Sequence, residues 1–143
     1  MAEERITFTL HHLVNELDRI ADGILRRQFS MTYSQFLFLV SIQEQGPLDL
    51  TNLARVLGVS KAAVSKRVSW FVDRNLVLLG SAEGTVRRVV LSLSPQGLQI
   101  VSEAAEVLDT TFMTQASRFH GFNLDELHSN LQEMLVQIKN YQE

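Results

Sequence analysis

The chain has 143 residues, 45% of them apolar and 20% charged, with a formal net charge of −3 and no cysteine. That length holds one compact domain, or a small domain with appended helices, and the apolar content is too high for a disordered chain. No apolar run approaches the ~20 residues that a membrane helix needs, and the absence of thiols excludes a disulfide framework, a thiolate metal site and a thiol redox switch. The opening MAEERITF lacks the basic-then-apolar pattern of a secretory signal. A cytoplasmic protein without membrane contact is expected.

The first helix is predicted from about Arg5 to Gln28, where Ile6, Leu10, Leu13, Leu17, Ile20 and Ile24 recur at helical spacing. Thr32, with Gln35 three residues on, forms a capping box that opens a second helix, and Gly46-Pro47 ends it. Two short helices follow. Asp49 caps the first, which buries Leu53, Ala54 and Leu57, and Gly58 turns the chain. Ser60 caps the second through about Arg74, with Val64, Val68 and Phe71 inward, and Asn75 takes a left-handed position after it.

The period then changes to two. Leu76–Leu79 is an apolar run, residues 80–85 form a hairpin tip, and Val89, Leu91 and Leu93 alternate with Arg88, Val90 and Ser92. Ser94-Pro95 restarts helix to about Phe119, with Leu98, Val101, Ala105, Leu108 and Phe112 on its apolar face. Asn123 and Glu126 open a final helix carrying Leu127, Leu131, Met134, Ile138 and Tyr141. The order predicts a mainly α fold with a small β-hairpin wing: a winged helix-turn-helix over 31–94, flanked by long helices over 1–30 and 95–143. The outer stripes have too little domain to cover them, which points to a homodimer.

Charge is unevenly spread. Residues 51–94 hold seven basic and two acidic residues, a local charge of +5, whereas the remainder carries −8. A basic middle between acidic ends fits a nucleic-acid reader on a scaffold with another task. Leu53, Ala54, Leu57, Val59, Val64 and Val68 lock the two short helices together. The second then presents Ser60, Lys61, Ala62, Ser65, Lys66, Arg67 and Ser69, short polar and basic groups suited to a groove about 12 Å wide. A merely solvated helix face explains the charge but neither the missing acids nor the run of small residues. Arg87 and Arg88 beside the hairpin tip suit a minor groove.

With these elements in place the sequence resembles the MarR family of transcriptional regulators. The likeness spans the chain and is carried by Leu53-Ala-Arg-Val-Leu-Gly-Val-Ser60 and by Arg87-Arg-Val-Val-Leu-Ser-Leu-Ser-Pro-Gln-Gly97. It implies a triangular homodimer with intertwined terminal helices, bound to double-stranded DNA. Arg87 matches the family's minor-groove arginine. The acid that usually braces it is replaced by Thr85, counted with the DNA-binding set, and the usual glycine after the recognition helix is Asn75. The family also implies a small aromatic effector, for which His11, His12, Phe36, Phe38 and Trp70 are the candidate pocket residues. Trp70 is read as a partly buried packing residue, with a DNA or ligand contact as the alternative.

No cofactor or metal is expected: His120 and His128 lie eight apart without clustered acids. An enzyme is not expected either, since there is no phosphate loop and no nucleophile–base pair. The sequence thus points to a sequence-specific DNA-binding regulator acting as a repressor. The alternative is a MarR-like adaptor or anti-repressor that works by protein–protein interaction without DNA.

Overall fold

In the computed structural model, which describes residues 5–81 and 88–142, every described helix but the first begins where a side-chain oxygen accepts from one of its free N–H groups. Helix α1 (Ile6–Phe29) leads into α2 (Tyr33–Gln45), then strand β1 (Leu48–Asp49), helix α3 (Leu50–Leu57) and helix α4 (Lys61–Asp73). Strands β2 (Val77–Ser81) and β3 (Val89–Leu93) follow, and helices α5 (Pro95–Ala116) and α6 (Leu124–Lys139) close the chain. At the start of α2, Gln35 N–H donates to Thr32 Oγ1 at 3.1 Å and Thr32 N–H donates to Gln35 Oε1 at 2.8 Å, the reciprocal box the sequence predicts. Asp49 and Ser60 cap α3 and α4 by accepting from Asn52 N–H (2.8 Å) and Ala63 N–H (3.1 Å).

Gly58 (φ 68°) and Asn75 (φ 55°) are left-handed where the sequence places such residues. Ser30, which also lies at φ 53° after α1, carries no sequence signal of that kind. The sheet is larger than the hairpin alone. Strand β1 pairs with β3 through Leu48–Leu91 and Asp49–Val90, so the antiparallel order is β1-β3-β2. Two residues are too few to show a period, which is why β1 is absent from the sequence reading. Val59, expected in the interior between the two short helices, is instead on the surface, 36% exposed. The turn accounts for this, because Val59 N–H closes α3 by donating to Ala54 O at 3.0 Å while its side chain faces solvent. Leu98, read on the inner face of α5, is likewise 49% exposed.

The chain divides into two compact units between Leu108 and Asp109. In the first, the core joins the end of α1 (Leu25), α2 (Phe38, Leu39, Ile42), α3 (Leu53), α4 (Val64, Phe71), the sheet (Val77, Leu91) and α5 (Val101, Ala104). Its centre is the stack of Phe38 on Phe71, with ring centroids 4.0 Å apart and planes 12° apart. The first two-thirds of α1 leaves Ile6, Leu13, Val14, Leu17 and Ile20 exposed. In the second unit Ala116 is buried, the rings of Phe119 and Phe122 meet at 5.7 Å, and α6 buries no residue. Among the described residues no helix is long and apolar enough to cross a membrane.

Asp22 on α1 fastens the next helix. Its Oδ1 accepts from Tyr33 N–H at 2.8 Å and its Oδ2 from Arg26 Nε at 2.7 Å. The Tyr33 bond first, and the Arg26 bond after it, hold this carboxyl below the usual carboxylate range. A lowered folded pKa means stability that is complete above the unfolded value and is lost as pH falls through the folded one. Two outcomes follow. Phe71→Ala should lower unfolding free energy by about 3–5 kcal/mol in urea titrations. Asp22→Asn should leave a shallower loss of stability below about pH 4 than the parent chain shows; parallel acid limbs would refute the role given to Asp22.

Candidate nucleic-acid interface

Helix α4 is held on one side and free on the other. Val64 and Phe71 are buried and Val68 half-buried, which fixes the inward stripe against α2 and α3. Ser60, Lys61, Ala62, Ser65, Lys66, Arg67 and Ser69 are all exposed, as the sequence anticipates. Two of them have internal engagements. The Ser60 hydroxyl is the α4 cap. Arg67 lies three residues after Val64 and four before Phe71, at the border of the buried stripe, and its Nη1 donates to Ser34 Oγ on α2 at 3.2 Å. The outward face proper is therefore Lys61, Ala62, Ser65, Lys66 and Ser69, with no acid among them.

A groove of about 510 Å³ runs beside the start of α4, lined by Asp49, Thr51, Asn52, Arg55, Lys61 and Arg88 among others. Three cations from three elements thus share one concave surface. Arg55 belongs to the basic stretch, yet the sequence reading does not assign it to this surface. Its spacing of four from Thr51, on the outward face of α3, is the signal that would have placed it. Its Nη2 donates to Asn52 Oδ1 at 2.5 Å, which orients the guanidinium along that face.

The carboxylate in this groove has two partners. Asp49 Oδ1 caps α3, while Oδ2 lies 3.7 Å from Arg88 Nη1. The Asp49 side chain is 16% exposed and that of Arg88 63%. One carboxylate therefore ties the base of the wing to the first helix of the helix-turn-helix. Thr85 and Arg87 lie outside the described residues.

The candidate pocket residues are dispersed. His11 and His12 are on the exposed part of α1, whereas Phe36 and Phe38 belong to the buried core and Phe38 is stacked on Phe71. Trp70 is half-buried, edge-on to Phe71 at 5.0 Å and covered by the Arg74 guanidinium 3.9 Å above its ring. Trp70 thus packs against the core cluster. Among the described residues no three His, Cys, Asp or Glu side chains cluster as a metal site would require.

Residues 31–78 match the model of the MarR family. A comparison with curated proteins finds no match. Among solved structures, wild-type MarR from E. coli superposes with a TM-score of 0.80 at 19% identity, covering 96% of this chain and 98% of that one. The transcriptional regulator BldR from Sulfolobus solfataricus gives 0.75 at 23%, covering 92% and 93%. MepR of S. aureus in its DNA complex gives 0.72 at 21%, covering 95% and 99%. At such identities the likeness establishes a common fold.

The double engagement of Asp49 can be separated by substitution. Asp49→Asn keeps a capping oxygen but loses the charge, and an ion pair to so exposed an arginine is worth under about 1 kcal/mol. Asp49→Ala removes the cap as well and should cost about 1 kcal/mol more. Equal losses for the two variants in denaturant titrations would show that the ion pair stabilises the fold more than the cap does.

Proposed function

We infer that this chain belongs to the MarR family and is a DNA-binding transcriptional regulator, not an enzyme. The observation that carries this reading is the outward face of α4: Lys61, Ala62, Ser65, Lys66 and Ser69 lie exposed and free of acids on a helix whose other side is locked into the core. Small side chains let a helix backbone approach base edges, and lysines match phosphates on either side. Arg55 and Arg88, in the groove beside Lys61, extend the cationic surface from α4 onto α3 and the wing. The MepR–DNA complex supports the reading, because a protein of this fold forms a complex with DNA.

More specifically, the protein acts in the cytoplasm as a homodimeric repressor on a pseudo-palindromic operator. Half-sites are spaced about one helical turn, ~34–36 Å. Helix α4 enters the major groove and the wing, residues 80–88, reaches the adjacent minor groove; a small aromatic effector releases the complex. The exposed apolar side chains of α1 (Ile6, Leu13, Leu17) and α6 (Leu127, Leu131, Leu135, Ile138) support the dimer, since a second copy is the simplest cover for both. The net charge of −3 keeps the adaptor reading as the alternative, and a mobility shift separates the two.

Titration with duplex from the chain's own upstream region should show binding that outcompetes random duplex and a particle twice the 16.2 kDa chain mass on sizing. Between 50 and 200 mM salt the affinity should fall steeply, by about 10³–10⁵ if six to ten phosphates are neutralised. Lys66→Ala should weaken all duplexes alike and lower the salt slope by about one, whereas Ser65→Ala should change the preference between sequences. Absence of any preference over random duplex would sink the regulator reading.

A further inference from the structure

The sequence marks Ser94-Pro95-Gln96-Gly97 as the start of a helix and the end of the wing motif, yet the segment makes more bonds than a cap requires. As a cap, Ser94 Oγ accepts from Gly97 N–H at 2.9 Å and Ser94 O accepts from Leu98 N–H at 2.9 Å. The same hydroxyl also donates to Asn75 O at 2.5 Å, and Ser94 N–H donates to Leu76 O at 3.0 Å. At the exposed edge, Asn75 Nδ2 donates to Gln96 Oε1 at 3.4 Å. Ser94 is 1% exposed, a polar side chain sunk into an otherwise apolar core.

Sterics tighten the junction. A Cβ on Gly97 would lie 2.1 Å from Leu76 O, so a side chain there would displace the Leu76 backbone. The other end of the junction is bonded into α4. Asn75 N–H donates to Val72 O at 2.9 Å and Leu76 N–H to Phe71 O at 3.0 Å, with Asn75 left-handed at φ 55°. An unbroken series of bonds thus runs from the last turn of α4, through Asn75 and Leu76, to the first turn of α5.

We propose that Ser94 and Gly97 are positioning residues for α4: they weld the turn that ends the DNA-facing helix to the first turn of α5, so that the two move as one body. The functional consequence rests on the DNA-binding reading of α4 given above. The bond to Asn75 O is the distinguishing feature, because capping α5 needs only the acceptor side of the hydroxyl. A buried hydroxyl that donates to α4's turn and accepts from α5's turn leaves neither helix free to tilt alone.

The test compares the full chain with Ser94→Ala, which leaves Asn75 O and Gly97 N–H without partners, and Ser94→Thr, which keeps the hydroxyl. In Ser94→Ala, amide exchange should speed up by about tenfold or more in both 71–76 and 94–98 while 33–45 is unchanged, and Ser94→Thr should restore the parent rates. Preference for specific over random duplex should fall about tenfold, with random-duplex affinity within about twofold of the parent. Faster exchange confined to 94–98, or an unchanged preference beside a lowered melting temperature, would overturn the proposal and leave Ser94 an ordinary cap. If the parent chain shows no sequence preference, the DNA-binding reading fails, and the exchange pattern alone decides the weld. If Ser94→Ala does not fold, Gln96→Ala, which cuts only the outer bond, should speed exchange at 71–76 by about twofold. Unchanged rates there would overturn the proposal equally.

Discussion

The stack of Phe38 on Phe71 fixes the roll of α4, and the chemistry of its outward face depends on that roll. With ring centroids 4.0 Å apart and both side chains essentially without exposure, the pair allows α4 little rotation about its own axis. Val64 and half-buried Val68 extend the contact along the helix. A turn of one residue is about 100° on a helix, enough to bring Val64 or Arg67 where Ser65 and Lys66 now stand. The exposed polar surface is therefore a product of aromatic packing on the opposite side, which no phosphate contact could supply.

Charge follows the same division between a local and a global property. The net charge of −3 describes solubility and repulsion between molecules, while the groove beside α4 is lined by Arg55, Lys61 and Arg88 with one compensating carboxylate. That carboxylate is not a neutraliser at large. Asp49 commits one oxygen to the cap of α3 and turns the other toward Arg88. Fields fall off within about a Debye length, ~8–10 Å at moderate salt, so distant acids weaken the local potential little.

What the residues make legible is what is short in sequence. Capping at Thr32, Asp49 and Ser60 joins groups three residues apart, and the left-handed positions of Gly58 and Asn75 are local preferences, so all five can be read directly. The outward face of α4 is legible for the same reason, because a helical period places Ser65, Lys66 and Ser69 opposite Val64, Val68 and Phe71. Long-range partners are not. The bond of Arg67 to Ser34 spans 33 residues, that of Ser94 to Asn75 spans 19, and that of Tyr33 to Asp22 spans 11. Val59 misleads because apolarity suggests burial in a turn whose backbone faces inward and whose side chain does not. Strand β1 escapes a sequence reading because two residues carry no period, although it is the element that sets Asp49 opposite Val90 and within reach of Arg88.

The burial pattern separates two uses of apolar surface in the first unit. Residues that are buried in the single chain, from Leu25 to Ala104, meet at one centre and need nothing from outside. Those of α1 before Ile24 form a stripe at helical spacing that the chain itself leaves bare, with Ile6 67% and Leu13 53% exposed. Scattered exposed leucines on a protein surface need no explanation, but a continuous stripe at the period of the helix does. The change from bare to buried falls at Ile24, shortly before the chain leaves α1 for the α2 cap, and Asp22 sits at that boundary, bonded to Tyr33. One helix thus serves the core of its own unit at its end and presents an unmatched face along the rest. Covering that face would remove the free-energy penalty it carries in water, which is the physical basis of the dimer proposed above, and Asp22 bonds the helix that bears it to the start of α2.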